Sequence, residues 1–174
     1  MPELLAGKDL EAGGTWLGVT RSGRFAALTN IRSPGAIRGP LSRGKLVLDY
    51  LAGTDTAADY LSQLSEKSAD FAGFNLLVGD RHRLWYLNSQ EGQPRELLPG
   101  VYGLSNAALN TPWPKLTQLR EQLTAMPQAA PEQLLPLLHD EHIYADELLP
   151  QTGVNSDLER MLSACFIIGN QDYG

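Results

Sequence analysis

Three asparagines stand in or at the ends of apolar segments that read as β-strands. Asn30 closes Leu28-Thr29-Asn30, Asn75 lies inside an apolar run, and Asn106 closes Leu104-Ser105-Asn106. Asparagine is a poor strand former, so its recurrence at such places calls for a reason. Fixed amide donors can form an oxyanion hole, which stabilises the charge that develops during acyl transfer. Alternatively, each amide caps a local turn, and the residues leave both interpretations open.

Other motifs predict less chemistry. Gly39–Lys45 has the spacing of a phosphate loop, but Leu46 stands where Ser or Thr is required and no strand precedes it, which argues against a nucleotide triphosphate site. His139-Asp140-Glu141-His142 lacks the His-Glu-x-x-His spacing and is typical of a solvated helix end. The single cysteine, Cys165, lies in an apolar run typical of a small buried residue and excludes an internal disulfide. We predict no metal site and no cofactor.

The charges are unevenly distributed. Formal net charge is −6, yet residues 12–48 contain no Asp or Glu and carry +6, so the remainder carries −12. A local positive field suits a small anionic ligand or a carboxylate-bearing substrate, whereas a solvated arginine-rich surface is the alternative. The acidic total and the lack of a stacking aromatic pattern argue against nucleic acid. The cations of the segment are Arg21, Arg24, Arg32, Arg38, Arg43 and Lys45.

Length and hydropathy place the chain among soluble domains. Its 174 residues suffice for one domain that buries roughly 70% of its unfolded surface. No apolar run approaches the roughly 20 residues of a membrane span, and the first residues lack a signal-peptide pattern. We therefore expect a cytoplasmic protein without membrane insertion, and the sequence makes no prediction of its oligomeric state.

The first half of the chain predicts two hairpins and two helices. Thr15–Arg21 and Arg24–Ile31 form a hairpin around Ser22-Gly23. The opening ten residues are expected to be poorly structured, and Gln90–Pro99 a polar loop. The remaining elements are a helix over Lys45–Ala52, a helix from an N-cap at Thr54 to Lys67, and a second hairpin of Gly73–Gly79 with Leu84–Asn88.

The second half is mostly helical. A strand is predicted over Val101–Asn106 and a last strand over Ala164–Ile168. Between them we expect a helix after an N-cap at Thr111, a helix that starts between Pro127 and Pro131 and ends at Leu138, and a helix after a capping box that begins at Ser156. Strands and helices in grouped order favour an α+β fold.

Several blocks together resemble a known family. They are GGTWLGVTRSGRFAALTNIR, SRGKLVLDYL, GFNLLVGD, PGVYGLSNAALNTPWPK, and LSACFI followed by Asp172-Tyr173-Gly174. In this order they are similar to the NRDE family, also called the transport and Golgi organisation protein 2 family. The resemblance covers nearly all of residues 1–174, which we interpret as one partial domain of this type.

The resemblance implies a fold and a chemistry. The family resembles N-terminal-nucleophile hydrolases, in which two antiparallel sheets lie between helix layers in a four-layer αββα sandwich. A residue at the processed N-terminus attacks an amide carbonyl, and its free α-amine serves as the base. By this resemblance Asn30 and Asn106 are oxyanion or positioning amides, while Trp16 and Arg32 line the substrate pocket.

The chain also departs from the family pattern. Residue 2 is Pro2 where the family carries the cysteine, no Asn-Arg-Asp-Glu string occurs, and the Tyr-Gly-Thr-Arg motif stops at Gly174. We expect an incomplete sandwich that lacks the N-terminal strand and C-terminal strands, inactive as a hydrolase by itself. These departures are expected if the chain is a fragment of a longer protein. The alternative explanation is a natural variant that lacks the nucleophile.

A non-enzymatic function is the alternative. Animal members of the family have been linked to haem movement and to mitochondrial and lipid homeostasis, and the positive segment suits propionates or phosphates. None of the three histidines, His82, His139 and His142, has an apolar setting suited to haem ligation. A haem or small-anion carrier is therefore kept beside the hydrolase interpretation.

Overall fold

The chain is a mixed α+β protein. The computed structural model describes residues 3–35 and 39–169. Pro2, Arg38 and the Asp172-Tyr173-Gly174 motif lie outside these ranges. Two compact units form, one from Met1–Gly100 with Asn106–Ala108 and the other from Val101–Ser105 with Leu109–Gly174. Every candidate site residue named by the sequence lies in the first unit.

The first unit is built on a six-stranded antiparallel sheet in which each strand pairs with the next along the chain. Both predicted hairpins are confirmed, and the turn of the first uses Gly23 at a φ of 95°, a conformation that favours glycine. The strands are β1 (Leu4–Ala6), β2 (Leu17–Thr20), β3 (Phe25–Asn30), β4 (Phe74–Gly79), β5 (Leu84–Asn88) and β6 (Arg95–Leu97).

Two helices cover one face of this sheet. Helix α1 (Gly44–Ala52) packs on β2 and β3, and α2 (Ala57–Ser65) packs on β5. Strand alternation points Ala26, Leu28, Leu76 and Val78 at these helices, where all are buried. Each leucine or valine side chain in this layer contributes about 1.5–3 kcal/mol when fully buried, so the layer is the core of the unit. Its helical side is formed by Leu46, Val47, Tyr50, Leu51, Leu61 and Leu64.

Helix α2 begins later than predicted. Its N-cap is Thr56, whose Oγ1 accepts a hydrogen bond from the backbone N–H of Asp59 at 3.1 Å. The predicted cap at Thr54 is therefore wrong. Thr54 and Thr56 both precede the apolar stripe of α2. Thr56 is adjacent to the first helical residue, Ala57, and is therefore the residue that caps the helix.

Arg24 joins β3 to the end of α1. Its guanidinium donates through Nε (3.1 Å) and Nη2 (2.7 Å) to the carbonyl of Tyr50, and through Nη1 to the carbonyl of Asp55 (2.9 Å). It also lies 3.9 Å from the centroid of the Tyr50 ring. A cation is favourable at a helix C-terminus, because the last carbonyls lack intrahelical donors. Arg24, one of the cations of residues 12–48, therefore has a structural role.

The opposite face of the sheet is apolar at its β1–β2 edge. Leu5 on β1 pairs with Val19 on β2. Leu17 is two residues before Val19 on β2, so its side chain lies on the same face of the sheet. Their side chains are 76%, 40% and 55% exposed respectively. The open apolar surface is therefore confined to the β1–β2 edge of this face, because Asn75, Tyr86 and Asn88 farther along the same face are buried.

The second unit is mostly helical. It contains α3 (Pro114–Thr124), α4 (Pro131–Leu138) and α5 (Ser156–Met161), with a 3-10 turn over Asp146–Leu148. The predicted caps at Thr111 and Ser156 are wrong, because Trp113 and Asn155 occupy the N-cap positions. Asn155 Oδ1 accepts from the backbone N–H of Leu158 at 2.8 Å. Among the described helices of both units, none has the length and hydropathy to cross a membrane.

Four predicted segments have a different structure. The opening residues contain β1, and the predicted loop Gln90–Pro99 contains β6. The predicted strands Val101–Asn106 and Ala164–Ile168 are irregular. In the first, Asn110 (φ 63°) exchanges two hydrogen bonds with Gly103 and closes a loop. In the second, the chain turns, and Phe166 donates its N–H to the carbonyl of Asp140 at 2.9 Å.

Candidate functional site

The end of β3 brings Asn30, Arg32 and Asn106 together. The Nδ2 of Asn106 donates to the carbonyl of Asn30 at 3.0 Å, and the N–H of Arg32 donates to the carbonyl of Asn106 at 2.7 Å. The segment Asn106–Ala108 belongs to the same compact unit as the sheet. Two asparagines that are 76 residues apart in sequence thus meet at one strand end.

The side chain of Asn30 leaves one buried polar atom unsatisfied. Its Oδ1 is buried and has no hydrogen-bond partner in the part of the chain that the structure describes. A buried polar atom without a partner costs about 1–3 kcal/mol, so most are paired in native proteins. Asn30 is fixed at the end of β3, and its side-chain oxygen has no partner among the described residues. This side chain is therefore suited to bind a ligand.

On the opposite face of the sheet from the Asn30 side chain lies a buried polar network centred on Asn75, which pairs with Thr29 across β3 and β4. Its Oδ1 accepts from the hydroxyl of Tyr86 (2.7 Å) and from Nδ2 of Asn88 (3.0 Å). Its Nδ2 donates to the carbonyl of Ala107 (2.8 Å) and to Oγ1 of Thr29 (3.1 Å). Asn75 is fully buried, and its four hydrogen bonds use the whole capacity of the amide. We name Thr29, Asn75, Tyr86 and Asn88 the amide network.

Tyr86 and Asn88 were not predicted as site residues. The signal that identifies them is strand register, since Asn75 pairs with Asn88 and Leu77 with Tyr86 across β4 and β5. Two asparagines directly opposite each other in buried strands must satisfy their amides mutually. The register becomes evident once the hairpin turn at residues 80–83 is fixed.

Trp16 lies apart from this cluster. It is 42% exposed and lines a cavity of about 460 Å³ whose other walls are Gly7, Lys8, Asp9, Thr15 and Leu17. Asn30 is not among the lining residues. The backbone still links the two, because the carbonyl of Trp16 accepts from the N–H of Leu28 at 2.8 Å, two residues before Asn30.

Most described cations of the positive segment have structural partners. Arg24 binds carbonyls at the end of α1, Arg43 donates to the carbonyl of Gly73 at 3.1 Å, and Lys45 pairs with Asp49 at 2.6 Å. Gly73 also accepts from the N–H of Ile31. The guanidinium of Arg43 therefore lies near the exit of β3, whereas Arg32 contributes its backbone N–H to the candidate site.

The histidines and the cysteine lie elsewhere. The ring of His139 stacks on Phe166 at 4.9 Å, and that of His142 meets Tyr144 edge-on at 4.6 Å. Within residues 3–35 and 39–169, no three potential metal ligands cluster. Burial raises the pKa of the Cys165 thiol, and the nearby Lys115 lowers it by less. A raised pKa opposes nucleophilic reactivity.

The fold and the site define an α+β protein whose antiparallel sheet carries an amide site at the end of a central strand. The chain belongs to the Transport and Golgi organisation 2 family, whose model matches residues 1–174. This membership confirms the resemblance found in the sequence.

Curated relatives agree with this membership. The chain is 37% identical over 156 residues to the Transport and Golgi organization 2 homolog of Mus musculus, covering 80% of the chain and 56% of the relative. It is 39% identical over 145 residues to the Homo sapiens homolog, covering 76% and 52%. The Bos taurus homolog is 42% identical over 123 residues, covering 66% and 45%. The chain thus spans about half the length of the curated relatives it matches.

Proposed function

We propose that this chain forms part of an amide hydrolase of the N-terminal-nucleophile type, acting on non-peptide C–N bonds in the cytoplasm. The observation that carries the proposal is the meeting of Asn30 and Asn106 at the end of β3, where the Oδ1 of Asn30 is buried without a hydrogen-bond partner in residues 3–35 and 39–169. The side-chain Nδ2 of Asn106 donates to the backbone carbonyl of Asn30 and so fixes the backbone of Asn30. The side-chain amide of a residue fixed in this way is held ready for developing negative charge without reorganisation.

The chemistry assigns a defined step to Asn30. A nucleophile adds to the substrate carbonyl, and the C=O electron pair moves onto oxygen. Asn30 Nδ2 donates to that oxyanion until it collapses and the C–N bond breaks, with the proton passing from the base to the leaving amine. Water then releases the acyl group as a carboxylic acid. Cys165 has a raised pKa and belongs to a different compact unit from Asn30, so it is not assigned as the nucleophile.

The proposed substrate is a small amide that carries an anionic group. Arg32 follows Asn30 by two residues, and its backbone N–H already binds Asn106. Arg43 lies near the same strand exit through Gly73. A guanidinium beside an oxyanion donor suits a carboxylate on the substrate. Trp16 would contact the apolar part of a substrate that extends along β2.

The four-layer sandwich belongs to the same proposal. The sheet has helices on one face and an open apolar surface on the other, at Leu5, Leu17 and Val19. A second sheet packed face to face would bury such a surface.

The test uses the protein encoded by the complete gene and a panel of small N-acyl amides with and without a carboxylate. Asn30→Asp removes the donor with little change in volume, and we expect kcat to fall by about 10²–10³ with KM changed less than threefold. Asn155→Asp is the matched control, because a carboxylate also caps α5 and lies outside the site. Full activity of the Asn30→Asp protein contradicts the proposal.

The isolated chain gives a second test. Hydrolysis by the 174 residues that survives both Asn30→Ala and Asn106→Ala would also contradict it. The carrier alternative remains a prediction that rests on the positive segment, and a haem titration without a Soret shift would count against it.

A further inference from the structure

The amide of Asn75 has a determined orientation. Asn88 Oδ1 accepts from the backbone N–H groups of Gln90 (2.8 Å) and Glu91 (3.1 Å), which are donors under all conditions. Asn88 must therefore direct its Nδ2 at Asn75, 3.0 Å away, and the atom it meets must be an acceptor. The Nδ2 of Asn75 consequently faces the carbonyl of Ala107. The orientation follows from backbone groups at both ends of the chain of hydrogen bonds.

This chain of bonds ends on the segment that carries Asn106. Asn75 donates to Ala107 at 2.8 Å, and the preceding residue donates to Asn30 and accepts from Arg32. Asn106–Ala108 has no regular secondary structure, so its position depends on side-chain bonds of this kind. The amide of Asn75 is fully buried and exchanges no bond with solvent, which makes it the rigid member of the set.

We infer that Asn75 is a positioning residue of the site: it fixes segment 106–108 against β3, and through Asn106 it holds the backbone carbonyl of Asn30, the residue whose side chain the proposed function uses. The part of this inference that concerns Asn30 rests on the proposed function. Asn75 itself touches no substrate, because its four bonds are all made within the amide network and to Ala107.

Asn75→Asp tests the inference sharply. A carboxylate can still accept from Tyr86 and Asn88, so that side of the network is retained. The other oxygen then faces the carbonyl of Ala107, where the ionised carboxylate cannot donate. Exchange is followed from neutral to alkaline pH, because burial favours the protonated acid, which can donate to Ala107. The substitution removes the donor that holds the segment, with almost no change in volume. Tyr86→Phe is the matched control, since it removes one bond to Asn75 yet leaves the amide orientation set by Asn88.

The readout is hydrogen exchange at two backbone amides of the 174-residue chain. The N–H of Arg32 donates to Asn106, whereas the N–H of Leu28 donates to Trp16 inside the sheet. In Asn75→Asp we expect protection of Arg32 to fall at least tenfold while that of Leu28 changes less than threefold. In Tyr86→Phe both should change less than threefold. If Asn75→Asp lowers the protection of Arg32 and of Leu28 equally, Asn75 stabilises the whole unit and does not position segment 106–108. That result would overturn the inference.

A measurement on the unsubstituted chain covers the case in which the variant does not fold. A scalar coupling across the hydrogen bond between Asn75 Nδ2 and the carbonyl carbon of Ala107 is expected in the NMR spectrum. Its absence in a folded sample, where backbone couplings of β3 and β4 are detected, overturns the inference.

Activity separates this inference from the proposed function. In the protein from the complete gene, Asn75→Asp is expected to lower kcat at least tenfold with KM changed less than threefold. If exchange at Arg32 responds but Asn30→Asp leaves hydrolysis intact, the proposed function fails and the positioning of segment 106–108 stands. If Asn30→Asp abolishes hydrolysis while Arg32 exchange is unchanged in Asn75→Asp, the inference fails alone.

Discussion

Tyr60 couples the stability of the first unit to alkaline pH. Its hydroxyl donates to the carbonyl of Leu46 at 2.7 Å, and its pKa is raised, mainly by burial and further by Asp49 and Asp55. An unfolded tyrosine ionises near pH 10, so above that pH the unfolded chain loses a proton that the folded chain retains. The free energy of unfolding then falls with rising pH.

Tyr60→Phe isolates this effect. At pH 7 the variant should be less stable by about 1 kcal/mol, because the hydrogen bond to Leu46 is lost. The wild-type advantage should shrink above pH 10 by up to about 1.4 kcal/mol per pH unit, since phenylalanine has no proton to lose. Urea unfolding of both chains at pH 7 and near pH 11 measures the difference. A difference that is independent of pH would contradict the assignment to Tyr60.

Residue types predicted part of the candidate site. The poor strand propensity of asparagine identified Asn30 and Asn106, and the structure places them in contact. The same signal identified Asn75, whose partners Tyr86 and Asn88 were missed. A tyrosine in an apolar strand looks like an ordinary core residue, and its hydroxyl acquires meaning only through register. Site roles that depend on cross-strand pairing escape a search for local motifs.

At the scale of the element, the cap of α2 gives a direct test. Thr56→Ala removes the acceptor for the N–H of Asp59 and should destabilise the protein by about 1 kcal/mol. Thr54→Ala is the matched control: the same chemical change two residues earlier, at an exposed position, should stay within about 0.5 kcal/mol. The midpoints of urea unfolding measure both. A larger effect at Thr54 would contradict the position of the cap.

Elements with strong periodicity were predicted, and elements set by pairing were not. The hairpin of β2 and β3 has β-branched and aromatic residues around a Ser-Gly turn, which suffices locally. Strand β1 has three residues and exists through its pairing with β2. Strand β6 is charged, as edge strands often are, and Arg95 lies 5.1 Å from the centroid of the Tyr86 ring. The apolar run 164–168 illustrates that a short run does not by itself indicate a strand.

At the scale of the whole molecule, the open apolar surface of the sheet dominates solution behaviour. Leu5, Leu17 and Val19 lie side by side with exposures of 76%, 55% and 40%. Contiguous apolar surface of this kind drives association in water. We predict that the 174-residue chain self-associates at micromolar concentration through this surface.

The double variant Leu5→Lys with Leu17→Lys tests this prediction by sedimentation velocity. Each lysine reduces the magnitude of a formal net charge of −6, so weaker association cannot come from stronger overall repulsion. Leu10→Lys with Leu148→Lys is the matched control, because these leucines are 90% and 58% exposed and lie outside the sheet. The first variant should shift the chain to monomer with unfolding unchanged within about 0.5 kcal/mol, and the control should associate like the wild type. Equal loss of association in both would show that charge, and not the sheet surface, controls the assembly.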